Sequence, residues 1–447
     1  MKSIVRKYLI WLFAAIVMVP AAQAQSLIRD AEIERYLREF TNPILEAANL
    51  RPEDVSIYII NDDSLNAFVA NGQNIHLNTG LIMETDTPGQ LIGVIAHETG
   101  HIEGGHGVRR GEDIRIASRP AFISVGLGLL AIAAGEGEAG AALIAGSQQF
   151  AYLNFASHTR VQEASADQAA LRYLLATGRS PAGLLEFFEE FREAALYSDA
   201  ERYKYFYTHP LPSERIESLR TRAERTGMMD VPDSADEVDK LNRMKAKLIG
   251  FLSYPQEVNA QYPKEDVSVP ARYARAINAF RNSFTSTAVA ETESLIADEP
   301  DNPYFRELLG QIYYENGQIE ESIPPNRKAL ELAPEEPLLM INLAISLNAR
   351  GNEEDLAEAA DLLIVALSRE PDNGSAWYNL ALVREKQGHR GEANLATAER
   401  YFHYGKCQEA SVFSKRAQDD LSYDSKAYLR ASDIVTTCAA IMSQRNR

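Results

Sequence analysis

The sequence predicts an α+β domain over residues 25–225 followed by an all-α solenoid over residues 269–447. Three observations carry this. Length comes first: 447 residues, 45% hydrophobic and 24% charged, exceed one ordinary domain and are too apolar for a disordered chain. Next, β-branched runs and amphipathic helical spacing alternate before residue 225. Finally, Pro300, Pro334 and Pro371 recur at spacings of 34 and 37, and Gly317, Gly351 and Gly388 recur at the same intervals.

At the N-terminus, Lys2, Arg6 and Lys7 precede an apolar run from Tyr8 to Val19, and Ala22-Gln23-Ala24 supplies small residues for cleavage. This is the pattern of a secretory signal peptide over residues 1–24, removed after Ala24. Its run of about 12 apolar residues is short of the roughly 20 needed to span a bilayer. Gln25, not a cysteine, stands directly after the cleavage point, so the signal is not that of a lipoprotein. Asp and Glu outnumber Lys and Arg by 63 to 45, a net charge of -18, so nucleic acid is not an expected partner. Cys407 and Cys438 are the two cysteines, too few for a disulfide scaffold or a Cys-based metal site. In an oxidising compartment their separation permits a bridge without establishing one.

The first domain opens with an amphipathic helix from Ile33 to Ala48 and a strand from Val55 to Ile60, ended by Asn61-Asp62-Asp63. Leu65 to Ala70 and Asn74 to Asn78 flank Asn71-Gly72, a dipeptide that tolerates positive φ, and together read as a β-hairpin. Thr87, Pro88 and Gln90 then spell a helix start with a capping box, and the helix runs to about Glu103, where Gly104-Gly105 stops it. From Pro120 to Thr159 the charged residues before Thr159 are Glu136 and Glu138. Neither Ala- and Gly-rich half is a convincing membrane span; packed core helices are the first reading and a peripheral membrane or substrate contact beside the site is the second.

Beyond Gly227 an acidic, Pro-containing stretch, a helix from Leu241 to Leu252 and three prolines up to Pro270 mark residues 226–268 as a linker with a helix. The repeat that follows has the period of a tetratricopeptide array, with units beginning near 269, 303, 337 and 374. Glu353 to Glu358 absorbs the three-residue insertion, and the segment from Tyr401 reads as a degenerate cap. Such repeats stack mainly on one another, so removing 269–447 is expected to leave the first domain folded.

His97-Glu98-Thr99-Gly100-His101 places H-E-x-x-H on the helix ending near Glu103. With 8 histidines in the chain, chance would produce it on the order of 0.01 times. Residues four apart share a helix face, so both imidazoles can hold one Zn²⁺ while Glu98 points at the open position. Such an ion lowers the pKa of the water it binds from near 15.7 to about 7, and Glu98 can take the proton. A third ligand is required. The scheme with a histidine ten residues after His97 fails, because position 107 is Gly and the nearby histidine is His106. A glutamate from a later helix fits, and Glu163 supplies it; Asp167, one turn on, can accept the spare ring N–H of a ligating histidine.

His97 to His101, Glu163 to Asp167 and the block Thr208-His209-Pro210-Leu211-Pro212-Ser213-Glu214-Arg215 occur in the order and spacing of the HtpX and BepA-like zinc metallopeptidases. The segment from Asn66-Ala67-Phe68 through Thr79-Gly80-Leu81 is similar to that family too, and the leader and repeats resemble its exported branch. The resemblance implies a zincin-like domain of gluzincin type, one Zn²⁺ per chain, endopeptidase activity in the periplasm, and a part in outer-membrane protein assembly and quality control. It implies His97, His101 and Glu163 as ligands, Glu98 as base, His209 near the metal and able to take the fourth position, and Arg215 supporting the site or the developing oxyanion. Partners implied are unfolded or misassembled exported polypeptides and, through the repeats, the outer-membrane assembly machinery.

Zincins keep an edge strand that pairs with extended substrate, and Asn74, Ile75, His76, Leu77 and Asn78 stand in that place in the sequence. The Gly in the middle of H-E-x-x-H costs about 1 kcal/mol of helix propensity. A rival reading from another class is a client-binding chaperone or adaptor that works through the repeats, with a latent or structural zinc site. Glu98 argues against it, since a structural site needs no base.

Overall fold

The computed structural model describes residues 26–70, 72–107, 123–125, 127, 129, 141, 159–197, 202–205 and 209–445. The leader expected over 1–24 and most of the stretch 120–159, with the membrane contact expected there, lie outside the described residues. Among the described residues, no helix is long and apolar enough to cross a membrane.

Strand β1 (Leu27–Ile28) leads into helix α1 (Ala31–Ala47), where the Asp30 side chain accepts the Ile33 N–H at 2.9 Å. The buried face of α1 is Ile33, Leu37, Phe40 and Ile44, at the three- and four-residue spacing the sequence shows. Strands β2 (Ser56–Ile60), β3 (Ala67–Ala70) and β4 (Asn74–Asn78) complete a four-stranded sheet in the order β1-β2-β4-β3. Strand β4 runs parallel to β2 and antiparallel to β3, so the hairpin is formed as expected. The substrate edge expected at Asn74–Asn78 is not there, because both ladders of β4 are occupied. Its Ile75 and Leu77 are fully buried and draw the strand into the sheet, whereas β3 buries only Ala67 and is left at the edge. His76 is stacked between the rings of Tyr58 and Phe68, at 5.2 and 4.8 Å, as a packing group.

Helix α2 (Thr79–Glu84) precedes α3 (Pro88–Glu103). Thr87 caps α3 by accepting the Gln90 N–H, but the Gln90 side chain reaches back to the Asp86 N–H at 2.7 Å, one residue before the expected reciprocal partner. Helix α4 spans 159–176, followed by α5 (Ala182–Tyr197) and α6 (Ser213–Glu224). Next comes α7 (Ala235–Leu252), which is not a linker. Leu241, Met244 and Leu248 belong to the core of the sheet domain, while Ala246 and Ile249 pack with Val258 and Ala274. The acidic residues before it hide a helix start: Ser234 and Glu237 form a full capping box.

After the short α8 (Pro255–Gln261) the helices pair as α9 (Val269–Arg281) with α10 (Thr285–Asp298), α11 (Pro303–Glu315) with α12 (Ile319–Leu332), α13 (Pro337–Arg350) with α14 (Glu353–Arg369), and α15 (Gly374–Lys386) with α16 (Arg390–His403). These starts match the sequence register, and α14 is longer than α12 by the expected insertion. Gly317, Gly351 and Gly388 turn the last three of these pairs at φ of 76°, 76° and 79°, a conformation that strains residues bearing a Cβ; the first pair turns at Ser283, at φ 63°. The segment read as a cap is a further pair, α17 (Cys407–Asp420) and α18 (Lys426–Arg445), with the two free cysteines buried in one apolar cluster.

The solenoid does not stack on itself alone. Ala31 of α1 packs with Tyr304, Ala329, Ala333 and Leu339. Arg29 pairs with Glu370, Arg35 with Glu336 and Arg243 with Glu299, each glutamate lying at a connection between helix pairs. At the centre is Lys247, buried, with its ammonium 2.8 Å from Asp30, 3.3 Å from Glu32 and 4.0 Å from Glu307. Tyr273 donates to Glu32 at 2.8 Å. Burial disfavours the ammonium, but the surrounding acidic groups outweigh it and hold Lys247 charged; burial pushes the Glu32 carboxyl up. Removing 269–447 would uncover this cluster, so the first domain is not expected to stand alone intact. Lys247→Ala, which leaves buried carboxylates without their cation, is expected to cost about 3–5 kcal/mol in denaturant unfolding. A change below about 1 kcal/mol would show that the cluster carries no such stability.

Candidate metal centre

Helix α3 presents His97 and His101 on one face, and its packing explains the Gly between them. A Cβ on Gly100 would lie 2.9 Å from the Ala166 Cα and carbonyl oxygen and 3.1 Å from the Ala169 Cβ. The two helices therefore touch at backbone distance. That contact brings Glu163, one turn before Ala166 on α4, to the two histidines. The propensity lost at Gly100 is the cost of this close approach.

His97 Nε2 is 3.1 Å from His101 Nε2, 3.3 Å from Glu163 Oε2 and 3.4 Å from His209 Nδ1. His101 Nε2 is 3.5 Å from Glu163 Oε1, and His209 Nδ1 is 3.2 Å from both Glu163 oxygens. Ligand atoms of all four residues lie within 4.8 Å of one another, and all four residues are buried. Tetrahedral donors about 2.0–2.1 Å from a common centre would be about 3.3–3.5 Å apart, so this set fits a small four-coordinate cation. Three imidazoles and one carboxylate are also the donor types zinc accepts. His209 is held by its backbone N–H, which donates to the Tyr205 carbonyl at 2.7 Å. Its ring stacks on that of Tyr205 at 4.6 Å.

Glu98 is fully buried and, among the described residues, neither carboxylate oxygen has a hydrogen-bond partner; Oε1 is 3.5 Å from His209 Nε2. Burial pushes its carboxyl above the usual range. A desolvated carboxyl facing a cation site, with no partner of its own, is what a proton acceptor there requires. Asp167 Oδ1 lies 3.0 Å from His97 Nδ1, where it can accept the spare ring N–H. Arg215 grips Asp167 with two donors, at 2.5 and 2.7 Å, reaches the Pro210 carbonyl at 2.9 Å and lies 2.9 Å from Glu163 Oε2. Burial alone would raise the Asp167 carboxyl; the Arg215 bonds and the His97 ring outweigh it and hold it below its usual value.

The geometry thus brings together His97, Glu98, His101, Glu163, Asp167, His209 and Arg215, and leaves Asn74–Asn78 in the sheet interior. Sequence reasoning missed Tyr205 and Phe188. Phe188 sits beneath the Arg215 guanidinium at 5.2 Å and edge-on to His97 at 5.9 Å. The place of Tyr205 four residues before His209 is the one signal that could have found it.

A buried set of three imidazoles and one carboxylate, His97, His101, Glu163 and His209, with the Glu98 carboxyl beside it, is the centre of a metallopeptidase. Residues 29–223 match peptidase family M48 and residues 273–337 match the tetratricopeptide repeat, so the chain carries an M48 metallopeptidase domain followed by tetratricopeptide repeats. It is 27% identical over 391 residues to the beta-barrel assembly-enhancing protease of Escherichia coli strain K12, which covers 86% of this chain and 78% of that protein. The protein of the same name from Yersinia pestis is 26% identical over 86% of this chain and 79% of its own. Metalloprotease LoiP of Escherichia coli strain K12 is 29% identical over 203 residues, 44% of this chain and 74% of that one.

Proposed function

We propose that the chain is a zinc-dependent endopeptidase of the periplasm that degrades misfolded or misassembled exported proteins, outer-membrane β-barrel proteins among them, and aids their assembly. The carrying observation is the buried donor set of His97, His101, Glu163 and His209 beside the unpartnered Glu98 carboxyl. The leader pattern supports export, and the names of the relatives support the client class. One Zn²⁺ per chain, held by His97, His101 and Glu163, would polarise the scissile carbonyl and acidify an attacking water. Glu98 accepts the proton of that water and passes it to the leaving amine. Asp167 fixes the His97 tautomer. Arg215 positions Asp167 and Glu163; its bonds to Asp167 and to the Pro210 carbonyl, and its place beside Glu163, support orientation rather than contact with the oxyanion.

Substrate pairs with strand β3, Ala67–Ala70, in place of the expected β4. Among the described residues no strand occupies the outer side of β3, and β3 lies against α3. The repeats and the peptidase domain together line a cleft of about 530 Å³ in which Leu248, Phe251, Leu338 and Ile345 stand beside the amides of Gln311 and Asn342 and the charged Arg29, Asp30, Arg281, Glu307 and Glu315, a mixed surface that can take an extended polypeptide. The adaptor reading keeps one point in its favour: four protein donors make a closed site, as structural zinc sites do. Glu163→Ala tests the assignment, and is expected to abolish zinc binding and casein cleavage together. Full zinc occupancy in that variant would put the third ligand elsewhere.

A further inference from the structure

We propose that His106 is a positioning residue for His101: it accepts the Nδ1–H of His101 and so fixes the tautomer that leaves His101 Nε2 bare toward the metal. The inference rests on His101 being a ligand. His106 Nδ1 lies 2.9 Å from His101 Nδ1, while His101 Nε2 faces His97 Nε2 at 3.1 Å and Glu163 Oε1 at 3.5 Å. A neutral imidazole carries one N–H, so a histidine that ligates through Nε2 must carry it on Nδ1 and needs an acceptor there. For His97 that acceptor is the Asp167 carboxylate at 3.0 Å. His101 is given an imidazole instead, in the tautomer protonated at Nε2.

The chain is built to make this contact. Five residues along a helix rotate a side chain to about 140° from where it began, so a helical His106 would face away from His101. Helix α3 instead ends at Glu103, and Gly105 turns left-handed at φ 63°, its N–H donating to the Ile102 carbonyl at 2.9 Å. This folds His106 back over the helix end. There its ring lies against Gly104, where an added Cβ would sit 2.4 Å from Nε2 and 2.7 Å from Cε1. One glycine supplies the turn and the other the space. A neutral acceptor also spares the site a further carboxylate beside Glu98, Glu163 and Asp167.

The test is the zinc affinity of the full chain, measured by competition with a chromophoric chelator, for wild type, His106→Leu and His106→Gln, with thermal unfolding of each metal-free chain. Leucine removes the acceptor and is expected to weaken zinc binding about 10–100-fold, with the metal-free midpoint unchanged. Glutamine, whose amide oxygen can accept, is expected to recover affinity to within a few-fold. Wild-type affinity in His106→Leu overturns the proposal, and so does a His106→Gln as weak as His106→Leu, which would make the ring a space-filler. Glu163→Ala serves as control: if that variant also binds zinc as wild type does, the ligand assignment itself has failed, a result distinct from failure at His106.

Discussion

Glu98→Gln retains about one zinc per chain and loses at least 100-fold in casein cleavage. The two halves of this expectation come from different atoms. Metal retention follows because the donors are His97, His101, Glu163 and His209, none of which is altered. Loss of turnover follows because an amide cannot accept the proton of the attacking water, and general-base catalysis contributes about 10²–10⁴-fold. The amide is nearly isosteric, and among the described residues Glu98 has no hydrogen-bond partner to lose, so the fold should not suffer. Metal analysis and casein turnover on the same preparation check both halves. Undiminished cleavage would remove Glu98 from the mechanism.

His209→Ala is expected to raise basal cleavage, of casein and of the chain itself, by about tenfold or more. The side chain fills the place where substrate and water must come: Nδ1 is among the four donors, and Nε2 lies 3.5 Å from the Glu98 carboxyl. With His209 in the fourth position no coordination site is left for water, so turnover requires the loop at Pro210 to withdraw. If the open state is about a tenth of the resting population or less, deleting the ring releases the remainder, which sets the size of the effect. Client contact along the repeats could supply the few kcal/mol that such a switch needs. The repeats reach the peptidase domain through Lys247 and the Arg29, Arg35 and Arg243 pairs, so a path of contact exists. Zinc content should persist through three ligands. An inactive His209→Ala with zinc bound would make the ring a transition-state group and end the gating account.

The parts that could be read from the sequence are those encoded locally. His97 and His101 share a face because four residues make about one turn, and the repeat register follows from Pro and Gly at fixed intervals. Gly100 looked like a defect until α4 was seen to touch it, a tertiary fact that no local pattern carries. Which strand lies at the sheet edge was hidden for the same reason: a hairpin sequence does not say which of its strands a third will join, and burial of Ile75 and Leu77 decided it. The helix at 235–252 was half hidden because its first turn is acidic, although Ser234 and Glu237 are a helix start. Lys247 with Asp30 and Glu307 pairs residues too distant in the chain for charge patterning to reveal. The role of His106 is not legible in the sequence, because its contact depends on a glycine turn rather than on helical spacing.

The central claim is that one zinc sits among His97, His101, Glu163 and His209. Anomalous diffraction from crystals of the full chain, recorded on both sides of the zinc absorption edge, addresses it directly. The account predicts a single peak per chain, present only above the edge, about 2.0–2.2 Å from His97 Nε2, His101 Nε2, a Glu163 carboxylate oxygen and His209 Nδ1. A zinc peak held by other residues, or zinc-loaded crystals with no peak at this cluster, would contradict it.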